Sequence, residues 1–136
     1  MNPNISQICQ QIYDNVDGAL ACALVSLENG EVRGVYHAIS HFNQDYIDLV
    51  SAAAFNMFAG ENIRKVEERL AQQRGIPATR TIQEAFMTTD RTFHFMARIA
   101  DIDSVVVLVT KRDTIQGVGW AQVRRALPLF ANVGVA

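Results

Sequence analysis

The sequence predicts an α+β fold of the α/β/α sandwich type: a five-stranded antiparallel sheet with one long central helix on one face and the N- and C-terminal helices on the other. Three observations predict it. The stretch from Asp45 to Gln73 has no Pro and one Gly, is rich in helix formers, and repeats its apolar residues at three- and four-residue spacing. The runs Ala19–Leu27 and Ser104–Thr110 are continuously apolar, as strands buried on both faces are. Between Thr81 and Thr110, three strand-like segments follow one another across turns too short for any connection but an antiparallel meander.

Taken in order, the elements read α-β-β-α-β-β-β-α. Asn4–Val16 is an amphipathic helix with Ile5, Ile8, Cys9, Ile12 and Val16 at helical spacing, Pro3 in a first-turn position, and Asp17-Gly18 as its stop. Ala19–Leu27 is a central strand. Asn29-Gly30 predicts a tight type I′ hairpin, because both central residues of that turn need positive φ. Glu31–Ala38 returns as an edge strand. Asn43 or Ser40 caps the long helix, and Gly75, Pro77 and Thr79 mark the loop after it.

Thr81–Thr88 and Thr92–Ile99 are the next two strands. In the second, Phe93, Phe95, Ala97 and Ile99 share one face and Thr92, His94, Met96 and Arg98 the other. Ser104–Thr110 is again central, beside Ala19–Leu27. Trp120–Val133 closes the chain as a helix with Val123, Ala126, Leu127 and Phe130 on one face, and Pro128 predicts a kink or an early end.

At about 100° per residue the long helix carries two apolar stripes. Ala52, Phe55, Ala59, Ile63, Val66 and Leu70 run most of its length and are expected to cover the sheet. Tyr46, Val50, Ala53 and Met57, widened by Ile47, Ala54 and Phe58, form a second stripe that stops where the charges begin. That second stripe asks for another partner, either a segment of the same chain or a second copy, because a lone soluble chain rarely leaves such a patch in water.

The chain has 136 residues, 49% hydrophobic and 19% charged, with a net charge of -2. This fits one domain over 1–136 with a sizeable core. The near-neutral balance gives no electrostatic footprint for nucleic acid or an acidic membrane. Arg64, Lys65 and Arg69 alternate with Glu67 and Glu68, the pattern of a solvated helix face. The two cysteines, Cys9 and Cys22, read as small core residues without a CxxC partner, which predicts a reducing cytoplasm. The N-terminus lacks the pattern of a signal peptide, and no apolar run approaches a membrane span.

No catalytic constellation emerges. His37 and His41 are four apart but straddle a strand end and a loop, with no acidic or Cys partner, so no metal site is expected. His94, on the more polar side of its strand, reads as a structural or surface residue rather than a catalytic one. Asp101-Ile102-Asp103 is turn chemistry. Gly117-Val118-Gly119 is a lone GxG, read as a helix start rather than an anion site. No GxSxG and no Walker sequence is present. No cofactor is expected. What remains to be explained is surplus apolar surface on one helix and an available sheet edge, which are features of assembly.

The element order, the hairpin GALACALVSLENGEVRG, the helix SAAAFNMFAGENIRKVEERL and the meander IQEAFMTTDRTFHFMARIADIDSVVVLVTKR together resemble the roadblock/LC7 family, from roughly Ile5 to Phe130. The resemblance implies a profilin-like sandwich that pairs edge to edge into homodimers or heterodimers, with the central helices of the two copies packed together. It implies a non-catalytic regulator or scaffold, as in dynein light chains, lysosomal scaffold subunits and bacterial partners of small Ras-like GTPases. By position, Tyr46, Val50, Ala53 and Met57 would meet their copies, and Ile82–Met87, including Glu84 and Phe86, would supply the sheet edge. Glu61, Arg64, Lys65 and Glu68 are the candidate partner surface.

Two other readings compete. A small-ligand sensor would need a sizeable pocket between sheet and helix, lined by residues such as Phe55, Phe93 and Phe95. A small enzyme would have to use His37, His41 or His94, for which no paired base or nucleophile is visible.

Overall fold

A computed structural model describes residues 4–135. The N-terminal helix α1 (Ile5–Asp14) opens on a capping box: Asn4 accepts from the Gln7 amide and Gln7 returns to the Asn4 amide, each at 2.8 Å. Pro3 lies outside the described residues. Then come β1 (Ala19–Ser26), β2 (Val32–His37), α2 (Gln44–Ala59), α3 (Glu61–Arg74), β3 (Glu84–Thr88), β4 (Thr92–Ile99), β5 (Ser104–Lys111) and α4 (Gln116–Val135). The sheet order is β2-β1-β5-β4-β3, all antiparallel. The two continuously apolar strands are therefore neighbours at the centre, as their composition requires, and β2 and β3 are the edges.

Two cores flank the sheet. On one face α1 and α4 bury Ile8, Ile12, Val123, Ala126 and Phe130 against Cys22, Leu24, Phe93, Phe95, Val106 and Leu108. On the other face α2 places Ala54, Phe58 and Ala59 on Val25, Met96, Val105 and Val107. The split alternation of β4 is as expected, with Phe93 and Phe95 on the first face and Met96 on the second. Cys9 and Cys22 are both buried and unbridged. The Cys22 thiol is pushed well above its usual range, first by its hydrogen bond with Cys9 and then by burial.

Four expectations need correction. The long helix is two helices. Gly60 takes an extended conformation (φ -65°, ψ 165°) that ends α2 and begins α3. The sheet-facing side also differs from the expected stripe: before the break α2 already buries Ala54 and Phe58, read as part of the second stripe, together with Ala59. Ala52 and Val66 are exposed and Ile63 and Leu70 half-buried, while α3 turns Glu67 and Ala71 inward. Glu67 is held there by the Thr81 amide and by the Thr81 hydroxyl at 2.8 Å.

The first hairpin is wider than a type I′ turn. Leu27–Gly30 form the loop, and Gly30 alone in it has positive φ, 78°. The reason is Leu27, which is buried and donates its amide to the Asp103 carbonyl at 2.8 Å, so it leaves the hairpin ladder. Next, β3 begins at Glu84 rather than at Thr81, so Ile82 precedes the strand and packs half-buried on the α2-side core.

Finally, α4 starts at Gln116 and runs through Pro128 to Val135. Val123, Ala126 and Phe130 are anchored in the core on both sides of Pro128, and that packing outweighs the lost hydrogen bond. Gly119 lies in the first turns of α4 because a Cβ there would stand 2.6 Å from the Phe95 ring. The GxG is thus a point of close helix–sheet approach.

Candidate functional site

The N-terminus of α2 is set by its cap. Asn43 accepts the Tyr46 amide at 2.9 Å, and Asp45 lies in the first turn, where a negative charge is favoured. Phe42 stacks on Tyr46 with ring centroids 4.8 Å apart, and His41 meets the Phe42 edge at 5.0 Å. From this start α2 crosses β2, β1 and β5. It turns Ser51, Ala54 and Phe58 into the sheet, with Ile47 half-buried beside them.

The adjoining side of α2 is apolar and open. Tyr46 is 44% exposed, Leu49 is 71% exposed, and Ala53 is exposed one turn further along the helix. Of the four seam residues read from the sequence, Tyr46 and Ala53 therefore face solvent. Val50 and Met57 are half-buried at the margin of the sheet contact. Leu49 was missed. Its spacing, three after Tyr46 and four before Ala53, already placed it on the same face.

Strand β3 is the free edge nearer His94 and Met96. Its side chains alternate. Glu84 and Phe86 point to the α4 side, where Arg124 grips Glu84 with two bonds of 2.8 Å and Phe86 lies 5.1 Å from Phe95 and 6.2 Å from Trp120. Arg124 also covers the Trp120 ring at 4.9 Å. That hydrogen-bonded pair holds the Glu84 carboxyl below the usual carboxylate range. Met87, paired with His94, points to the α2 side and is 38% exposed. On one face the side chains of this edge, Glu84 and Phe86, are thus held against α4, and β3 has no strand on its outer side.

The candidate partner surface is on α3. Glu61, Arg64, Lys65 and Glu68 are all exposed, and Lys65 pairs with Glu61 at 3.4 Å. Arg64 and Glu68 line a cleft of about 570 Å³ together with Arg80, Arg98 and Asp103. Arg80 binds Asp103 through two contacts, 2.6 and 2.9 Å, and the Leu27 carbonyl at 2.8 Å. The Arg80 hydrogen bond holds the Asp103 carboxyl below its ordinary range.

Of the three histidines, His37 and His94 border one crevice under α2 and His41 stands apart. His37 Nδ1 accepts the Ile39 amide at 3.2 Å, and His41 is exposed in the loop before α2. Among the described residues no group of three or more His, Cys, Asp or Glu is gathered as for a metal ion. A crevice does lie between the sheet and α2, but it holds only ≈ 40 Å³ and is lined by residues such as Val35, His37, Tyr46, Val50 and His94. That is room for a water molecule, against roughly 300–1,000 Å³ for metabolite pockets. Phe93 and Phe95 belong to the opposite face, and Phe55 lines the wider, polar cleft beside α3 rather than this crevice.

No family profile matches the chain, and no curated protein does. Solved structures do. A roadblock/LC7 domain from Streptomyces avermitilis superposes with a TM-score of 0.72 at 14% identity, over 98% of this chain and 100% of that one. The chain has the roadblock/LC7 fold. The gliding protein MglB of Thermus thermophilus shares that fold at a TM-score of 0.70 and 16% identity, over 95% and 87% of the two chains. MglC of Myxococcus xanthus shares it at 0.58 and 18% identity, over 93% and 95%. The element order and whole-chain span of the roadblock/LC7 resemblance thus hold in three dimensions. No helix among the described residues is long and apolar enough to cross a membrane.

Proposed function

We propose that the protein is a non-catalytic, cytoplasmic regulator or scaffold that works as a homodimer and binds a small Ras-like GTPase or a related assembly. The observation that carries this reading is the open apolar side of α2, Tyr46–Leu49–Ala53, on the same face of the sheet as Met87 of the free β3 edge. A two-fold axis at that edge would pair β3 with its copy and bring the two α2 helices together, with each patch meeting itself. Fully burying Tyr46 and Leu49 contributes about 1.5–3 kcal/mol each. Association costs about 4–15 kcal/mol, so the helices alone are marginal and strand pairing is needed as well. The α3 charges Glu61, Arg64, Lys65 and Glu68 stay outside that seam, free to present a surface to a third chain.

Light scattering on the eluting protein tests the dimer: the expected mass is twice the 15.1 kDa of one chain. Leu49→Glu is the informative variant, because Val50 is half-buried over the crevice and its change would also disturb the fold. The variant is expected to be a folded monomer. A wild-type chain that remains monomeric at high micromolar concentration would sink the reading. Pull-down of Ras-like GTPases in their GDP and GTP forms tests the partner. Binding that survives Arg64→Glu with Lys65→Glu would move the surface away from α3.

A further inference from the structure

His94 sits within β4 on the α2 face, paired with Met87 of β3 on one side and Val109 of β5 on the other. Its ring is half-buried, and its Nδ1 is buried without a hydrogen-bond partner. It borders the crevice under Tyr46, Ile47, Val50 and Ser51 of α2. A neutral imidazole tolerates this place. An imidazolium there has no counter-ion and depends on water reaching it from the open side.

The groups around it confirm how one-sided the setting is. From α2 the titratable group facing the crevice is Tyr46, and from β2 it is His37, already bonded to the Ile39 amide. The strands β1 and β5 present Ala21, Ala23, Val25, Val107 and Val109. Lys111, exposed at the end of β5, shares their face and adds positive charge. Arg98, on the same face of β4, is spoken for by Asp103 at 3.7 Å. Asp45 and Asp48 of α2 are exposed and do not line the crevice. No carboxylate lines it. Burial accordingly holds His94 below the ordinary histidine range, with the Met87 backbone opposing in part.

We propose that His94 makes the pairing of two copies pH-dependent: the paired form keeps His94 neutral, and its protonation drives the copies apart. This rests on the seam proposed above. Met87 and Tyr46 are both partly exposed, and a second copy laid over them would remove the water left to His94. The paired state then binds fewer protons than the free chain, so association is full above the free chain's own His94 pKa, itself below the ordinary histidine range, and weakens as pH falls through it. With one His94 per copy, the dissociation constant rises by at most about a hundredfold per pH unit once the pH is below that pKa.

Sedimentation equilibrium of the full chain at pH 8.0, 6.5 and 5.5, beside His94→Gln and His37→Gln, reads this directly. The wild type and His37→Gln are expected to weaken in acid, and His94→Gln to hold one dissociation constant throughout. A flat wild-type profile, or an unchanged slope in His94→Gln, overturns the proposal. A chain that is already monomeric at pH 8.0 overturns the seam itself, whereas a dimer indifferent to pH overturns only the role of His94. NMR titration of the His94 ring decides the matter without a variant: its pKa should be lower in concentrated than in dilute protein, and equal values end the proposal.

Discussion

Gly119 shows how one missing side chain sets the distance between layers. A Cβ there would lie 2.6–2.9 Å from three atoms of the Phe95 ring, and Phe95 is wholly buried. Neither partner can yield, so Gly119→Ala is expected to destabilise the fold by about 1–3 kcal/mol, measured by urea unfolding. Asp103 works by charge. It takes a left-handed backbone conformation (φ 42°), which Asp tolerates, and binds Arg80 and Arg98. Its folded pKa lies below the ordinary 3.8, so the unfolded chain binds the proton more readily. Its stabilisation is complete above that value and is lost as pH falls through the lower, folded one. Unfolding midpoints measured from pH 6 down to pH 2 should fall less steeply at the acid end in Asp103→Asn than in the wild type.

The elements differ in how much of them was written in the sequence. The centre of the sheet was legible because burial on both faces forces continuous apolar runs, and only β1 and β5 have them. The α1–α4 face was legible from its stripes. The break at Gly60 was not, since one Gly costs about 1 kcal/mol and its neighbours are strong helix formers. Nor was the start of β3, because Thr81-Ile82 has strand propensity, yet Thr81 serves to cap Glu67. The open side of α2 was half legible: Tyr46 and Ala53 of the stripe are exposed, but the margin of burial falls within it and Leu49 lay outside it. The α3 anchor yields its own prediction. This helix buries only Glu67 and Ala71, so its position depends on the Glu67–Thr81 contact more than on apolar packing. Glu67→Ala should loosen α3 and leave the sheet intact. Limited trypsin digestion should then cut faster at Arg64, Lys65, Arg69 and Arg74, with α4 unaffected. Equal cutting rates in the two proteins would show that α3 is held by something else.

At the scale of the whole molecule the sheet has two free edges, and they are not equivalent. The edge at β2 carries a register shift opposite Leu24/Val25 and has Gly34 packed under Ile5 of α1. Bulges and irregularity of this kind discourage pairing. The edge at β3 is regular over all five residues of its pairing with β4 and is braced by Arg124 and the Phe86–Trp120 contact. It also has Met87 exposed toward the α2 side, so pairing there can bury strand and helix surface together. Self-association through β3 therefore has a specific signature in amide exchange. The amides of β3 that point away from β4 have no partner in one chain and should exchange quickly in dilute protein. They should become protected as concentration rises, together with a drop in exchange near Leu49, while the outward amides of β2 stay fast throughout. Protection that instead grows at β2 would place the two-fold axis at the opposite edge, far from Met87, and would overturn pairing through β3.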